Sequence, residues 1–185
     1  MVKQLTPNAA VAKAFIKMLA PEGIVTFQTF DDDKVRKNLG LARVFHGTLD
    51  QYLDALTNLQ QQGAGVFMMV NEGDGVIHTG NKTCRCASNV VRIRSLFADL
   101  DGAPLEPLLQ CLQPDIIVES SPGKWHCYYT ITDCPLDQFT QRQKQIALKF
   151  GSDLSVHDLP RVMRMPGFYH QKDTPFMTRI IFPEQ

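Results

Sequence analysis

The chain has 185 residues, 44% of them hydrophobic and 21% charged, and its 19 Lys and Arg balance 19 Asp and Glu to a formal net charge of zero. This length suits one domain that buries roughly two-thirds of its unfolded surface without disulfide or metal staples. Neutrality excludes a global positive field, so any contact with a polyanion must come from a local basic patch. No apolar run approaches the roughly 20 residues of a membrane span, and the start Met1-Val2-Lys3-Gln4 lacks the apolar segment of a signal peptide. Five cysteines, an odd number without a secretory signal, point to reduced thiols and a cytoplasmic setting.

Asn8–Leu19 reads as a helix whose Ala10, Val11, Ala14, Phe15, Met18 and Leu19 form one apolar stripe. Ile24–Phe30 follows as a strand, ended by the acidic run Asp31-Asp32-Asp33. Thr48 is an N-cap for a second helix, in which Leu49, Tyr52, Leu53, Leu56 and Leu59 recur at helical spacing until Gly63. Gly65–Val70 is a buried strand, and Asn71–Ser88 a long polar loop or mobile hairpin. Val90–Leu100 reads as one strand whose far end carries Asp99 and Asp101. Side chains two apart on a strand share a face, so both carboxylates project together. Pro104–Leu112 is a short helix and Ile116–Glu119 a central strand. A tight Ser-Pro-Gly-Lys turn leads to the strand Trp125–Ile131, and Pro135–Phe150 is a third clear helix closed by Gly151. An irregular arginine-bearing loop and a strand, Met177–Phe182, complete the chain. The alternation fits an α+β sandwich, a mixed or antiparallel sheet with helices outside, over a single domain of residues 1–185.

Three constellations carry chemistry. The first is Phe97-Ala98-Asp99-Leu100-Asp101-Gly102. Two carboxylates at the end of a buried strand repel unless a cation lies between them, and hard oxygen ligands select Mg²⁺ or Mn²⁺ rather than zinc. A pair of such ions about 3.5–4 Å apart serves in-line displacement at a triphosphate. Asp-Leu-Asp-Gly is also good turn chemistry, and that plainer reading stays open. The second, Ser120-Ser121-Pro122-Gly123-Lys124-Trp125-His126, places backbone amides and an ammonium where a phosphate could sit. It lacks the spacing and following helix of a P-loop. His126 either faces the two aspartates or is a half-buried hairpin histidine. The third runs from Asp153 through Asp158, Arg161, Arg164, Met165-Pro166-Gly167 and His170 to Lys172. Arg161 and Arg164 lie three apart, so one helical turn would put both on one side, and arginine binds phosphate oxygens bidentately. Asp158 either caps a turn or orients Arg161.

Taken together, these blocks resemble the archaeo-eukaryotic primase superfamily, most closely its RepB-like plasmid and phage branch, over roughly Gly65 to Phe182. That superfamily carries an Asp-x-Asp strand, a small-residue turn ending in His, and an Asp before an Arg-rich segment. Here Asp99 and Asp101, Ser121 to His126, and Asp153 fill those slots. The run Asp153, Val156, Asp158, Arg161, Arg164, Pro166, His170 is also similar to the corresponding stretch of cellular primase small subunits. The resemblance implies an N-terminal α/β unit joined to an RRM-like unit, with the active site between them. It implies Asp99, Asp101 and Asp153 as ligands of two Mg²⁺ or Mn²⁺ ions, with His126 among the catalytic residues. It places Ser121, Lys124, His126, Arg161, Arg164 and His170 at the incoming nucleotide, with Asp158 and Lys172 as further candidates.

The implied activity is a DNA-directed primase or primase-polymerase that joins NTPs or dNTPs on a single-stranded DNA template during plasmid, phage or mobile-element replication. Partners expected on the same grounds are a helicase, an initiator protein, or a C-terminal helical domain in trans or in a longer chain. A catalytically silent binding module and a metal-dependent nuclease are the alternatives. There is no Walker A segment and no four-cysteine ribbon. Cys84, Cys86 and His78 offer three zinc ligands without an evident fourth. His46 and Trp125 read as surface or packing residues.

Overall fold

The computed structural model describes residues 4–183, so the polar start Met1–Lys3 lies outside the described residues. Among the described residues, four helices and twelve short strands follow one another along the chain. In order they are α1 (Ala9–Leu19), β1 (Val25–Asp31), β2 (Arg43–Gly47), α2 (Leu49–Gln61), β3 (Ala64–Met69), β4 (Glu72–Gly73), β5 (Val90–Arg92) and β6 (Ser95–Leu100). They continue with α3 (Glu106–Cys111), β7 (Ile116–Ser121), β8 (Lys124–Thr130), α4 (Leu136–Phe150), β9 (Val162–Arg164), β10 (Tyr169–His170), β11 (Phe176–Met177) and β12 (Arg179–Phe182).

Local chemistry sets the helix ends. The Asn8 side chain accepts the Val11 amide and starts α1, and Thr48 forms a full capping box with Gln51 at the start of α2. Gly151, in the left-handed region at φ 64°, stops α4. The apolar stripes then bury Ala12, Phe15, Ile16 and Leu19 of α1 and Leu49 and Leu56 of α2.

The main strands form two four-stranded antiparallel sheets, in the orders β2-β1-β3-β9 and β12-β7-β8-β6. One hydrophobic cluster joins them: Phe27, Val66 and Met68 from the first sheet meet Phe97, Val118 and Tyr128 from the second, with Phe15 of α1 edge-on to Tyr128. The opposite face of the second sheet carries Ala98, Leu100, Cys127 and Tyr129, packed with Leu108 of α3 and Ile146 and Phe150 of α4. Helix α4 also covers the β6 edge. The buried Gln143 side chain accepts the Phe97 amide at 3.2 Å and donates to the Phe97 carbonyl, so the edge strand presents no free backbone there.

Several elements differ from the sequence expectation, and strand β2 has no counterpart in it. The apolar run 90–100 is two strands, because β5 pairs with β4 across the polar loop and the backbone turns at Ile93-Arg94 before β6 begins. The arginine-bearing stretch, expected to be irregular with a helical turn, contains strand β9, which pairs with β3 in the first sheet. The expected strand 177–182 is broken at Thr178, whose amide donates to Phe168 while its carbonyl accepts the Gly167 amide. The last fifth of the chain therefore stitches the sheets together: β9 completes one, β12 the other, and Gly167 between them accepts the Asn8 amide at the start of α1.

Gly167 has φ 85°, and a Cβ there would collide with backbone atoms of Asn8 and Ala12, whereas Gly123 has φ 70° with open space around it. Gly123→Ala should therefore cost about 1–2 kcal/mol from backbone conformation alone. Gly167→Ala should cost about 2–5 kcal/mol because overpacking adds to that term. Chemical denaturation of the two variants measures the difference directly.

Candidate active site

The site is built on the β6–β8 pairing. Its register sets Asp99 directly opposite His126, on the face that also carries Phe97 and Tyr128. Facing neighbours on antiparallel strands bring side chains within reach of each other, and His126 Nε2 lies 3.7 Å from Asp99 Oδ1. Strand β6 ends at Leu100, so Asp101 sits on the following bend, where its carboxylate meets the Lys124 ammonium at 2.5 Å. That ion pair answers the expected repulsion between the two aspartates with a cation from the neighbouring turn. Hydrogen bonding to Lys124 lowers the Asp101 carboxyl below its usual range and raises Lys124.

These groups open into a cleft of about 610 Å³. Nine residues singled out from the sequence line it together: Asp99, Asp101, Ser121, Lys124, His126, Arg161, Arg164, His170 and Lys172. Two do not. Asp153 adjoins Asp99 through its backbone, the amide donating to the Asp99 carbonyl at 3.2 Å, while its carboxylate accepts the Ser155 amide at 2.8 Å. Asp158 stands behind Arg161, accepting Nε–H at 2.6 Å.

Arg161 and Arg164 reach the cleft by different routes. Arg161 precedes β9 and is held by Asp158 and the Ser155 carbonyl. Arg164, on β9, is buried at 6% exposure and makes a two-pronged bond to Asp32, itself 2% exposed, at 2.7 and 3.0 Å. Its guanidinium carbon lies 4.7 Å from the centre of the Phe67 ring, with Phe67 at a paired position on β3. Asp32 also accepts the Gln171 amide at 2.8 Å, so one carboxylate fixes both the arginine and the backbone beyond His170.

The sequence reading missed Asp32, Lys34 and Phe67. Asp32 was hidden inside the acidic run, and only β9 returning beside β3 reveals its partner. Burial and the charge of Arg164 push the His170 imidazole down to about 4, and the same two causes, in that order, lower the Lys172 ammonium. Burial also lowers His126, whose Nδ1 is enclosed without a hydrogen-bond partner. Two neutral histidines and a row of cations therefore face the cleft near pH 7.

Residues 94–179 match the RepB DNA-primase N-terminal domain family. The matched stretch carries strands β6 to β11. The fold of the whole chain is similar to that of solved primase structures. The primase-polymerase domain of cyanophage S-2L superposes with a TM-score of 0.73 at 16% identity, covering 97% of this chain and 92% of that one. The catalytic domain of primase RepB′, solved with initiator DNA, gives 0.59 at 15% identity over 92% of this chain and 84% of that one. A second RepB′ structure gives 0.61 at 15% identity over 95% of this chain and 56% of that one. A search of curated proteins by sequence returns no match. The RepB-like stretch contains every site residue named from the sequence, whereas Asp32, Lys34 and Phe67 precede it.

Of the candidate zinc ligands, His78 contacts Asp74 at 2.9 Å, the Cys86 thiol donates to the Thr83 carbonyl, and Cys84 is buried. All five cysteines are free thiols. Among the described residues no helix is long and apolar enough to cross a membrane.

Two outcomes follow. Asp32→Asn should lower stability by about 3–5 kcal/mol, because it leaves the buried Arg164 charge uncompensated, and Arg164→Met in the same chain should recover part of the loss in a double-mutant cycle. The pH dependence has a definite sign. Since His170 has a folded value of about 4 against an ordinary 6.5, the unfolded chain binds a proton in that window that the folded chain does not. Stability should be level above about pH 6.5 and fall as pH drops towards 4. His170→Gln should make that limb shallower in denaturation curves taken across the window, the remainder belonging to His46 and His126, which burial also lowers.

Proposed function

We propose that this protein is a DNA-directed primase or primase-polymerase that joins nucleoside triphosphates on a single-stranded DNA template, acting as one catalytic unit over residues 1–185. The reading rests on one observation above the others. Carboxylates, a buried histidine and arginines from three separate stretches of sequence converge on one cleft in a primase fold.

The donor set fits Mg²⁺ or Mn²⁺. Asp99 and Asp101 present hard oxygens to the same cleft, and Asp101 already draws a cationic partner, the exposed Lys124. Among the described residues no group of three His, Cys, Asp or Glu side chains is gathered as a ligand set. Asp153 would join the other two by releasing the Ser155 amide. Ions held by these carboxylates would lower the pKa of a primer 3′-hydroxyl and neutralise charge on the triphosphate.

The remaining groups position the nucleotide. Arg161 and Arg164 offer planar forks to phosphate oxygens, each braced from behind by an aspartate. Arg164 is the more rigid, since Asp32 holds one edge and Phe67 covers one face. Such bracing places charge without reorganisation when the α-phosphate is attacked and pyrophosphate leaves. Lys172, its pKa lowered by burial and by Arg164, adds a cation on the same wall. Neutral His126 donates one N–H to a phosphate oxygen beside Asp99, and Ser121 a hydroxyl. Base identity comes from pairing with the template, so a net-neutral chain with a local basic cleft suffices.

The test is synthesis on single-stranded DNA with labelled nucleotides and Mg²⁺ or Mn²⁺, with and without an annealed primer. The parent should form or extend strands. Asp99→Ala and Asp101→Ala should reduce synthesis to background with their folded state intact. Because Asp101 pairs with Lys124 across an exposed surface, its loss should change stability by no more than about 1 kcal/mol. Shortening of the labelled strand would point to a nuclease. Binding of DNA or nucleotide without synthesis would point to a silent binding module.

A further inference from the structure

The sequence Asp31-Asp32-Asp33-Lys34-Val35-Arg36-Lys37-Asn38-Leu39 reads as an acidic strand end running into a mixed loop. In the fold all three acids are engaged by neighbouring donors, although only Asp32 is fully buried. Asp31 accepts Nε and Nη2 of Arg36 and the amides of Asp33 and Asn38. Asp33 accepts the amides of Val35 and Arg36, and Asp32 is committed to Arg164. Arg36 also donates to the Gln62 carbonyl, tying the loop to the end of α2. The acidity visible in the sequence is thus consumed in building a rigid turn.

What the turn presents outward is different. Val35 is 93% exposed and Leu39 83%, more than any other large hydrophobic residue described. Lys34 lines the mouth of the cleft and lies near enough to Lys172 to disfavour its charge. Lys37 holds φ 46°, a left-handed conformation uncommon for lysine. Lys34 and Lys37 make no ion pair among the described residues. Apolar side chains scattered singly over a surface need no explanation. Here two stand four residues apart on one pinned loop, interleaved with two unpaired lysines, at the edge of a nucleotide-sized cleft.

We propose that this loop is a contact for single-stranded nucleic acid, with Val35 and Leu39 packing on exposed bases and Lys34 and Lys37 on the flanking phosphates. The inference rests on the function proposed above and says which surface takes the strand. A protein partner would suit the two apolar residues, but the unpaired lysines beside them favour a polyanion with apolar faces. Rigidity matters because a preformed turn loses little conformational freedom when a strand docks on it.

Two variants of the full chain test this by fluorescence anisotropy with a labelled single-stranded oligonucleotide over a salt series. Val35→Ser/Leu39→Ser should weaken DNA binding roughly tenfold, in line with the loss of apolar area buried against the bases. Lys34→Gln/Lys37→Asn should reduce the slope of log affinity against log salt by about 0.7 for each lysine. Asparagine is chosen at 37 because it tolerates the left-handed backbone. Nucleotide binding by the Val35/Leu39 variant, read by dye-labelled dNTP, should match the parent. If the parent binds DNA and extends primers while both variants keep its affinity and salt slope, the loop assignment is overturned and the function stands. A Val35/Leu39 variant that changes only the sedimentation coefficient would assign the loop to protein association instead, and also overturns it. If the parent neither binds DNA nor synthesises, the functional proposal falls and this one with it.

Discussion

The buried pairing of Asp32 with Arg164 is the interaction on which the architecture of the cleft depends. It joins the end of β1 to β9, residues 132 apart in sequence, and the same carboxylate secures the Gln171 amide. A buried ion pair is weak support for stability, since desolvation offsets most of its attraction, but losing one partner is severe. Its value here is geometric. It holds a cation rigidly at the cleft wall, beside His170 and Lys172, whose basicity is lowered first by burial and then by the Arg164 charge, and it fixes where the returning chain lies.

A second constraint is the antiparallel register of the second sheet. Placing Asp99 opposite His126 also places Ala98 opposite Cys127, so polar groups face the cleft side while small and aromatic groups face α3 and α4. A one-residue slip would exchange those faces, burying the aspartate against α4 and exposing apolar side chains. The hydrophobic demand of the outer face therefore fixes the chemistry of the inner one. Gln143 reinforces the arrangement by occupying the backbone of Phe97, two residues before Asp99.

Electrostatically, the protein keeps a neutral total while dividing its charges by location. Aspartates 31, 32, 33 and 158 serve as internal braces, so their partners are set in place, and Lys34 and Lys172 are left facing the opening. A polyanion would meet a local field that no sum over the chain reveals, and one that salt screens over about 10 Å.

Much of this was readable from the chain itself. Helices α1, α2 and α4 follow from apolar periodicity and caps, all local properties encoded within a few residues. The grouping of Asp99 with Asp101, the His126 turn and the Arg161–Arg164 segment is visible because their chemistry is rare enough in combination to resemble one superfamily. Other features were decided only by tertiary structure. A three-residue strand such as β9 has too little periodicity to announce itself and exists because β3 offers an unpaired edge. The division of 90–100 into two strands depends on β4, eighteen residues upstream, providing a partner. Asp32 looks the same as Asp31 and Asp33 in sequence, yet one is a buried counter-ion and the others build a turn. Sequence determines which groups are present and how they are locally spaced; burial and long-range pairing, which depend on the whole packed chain, decide which of them face a substrate and which only hold others in place.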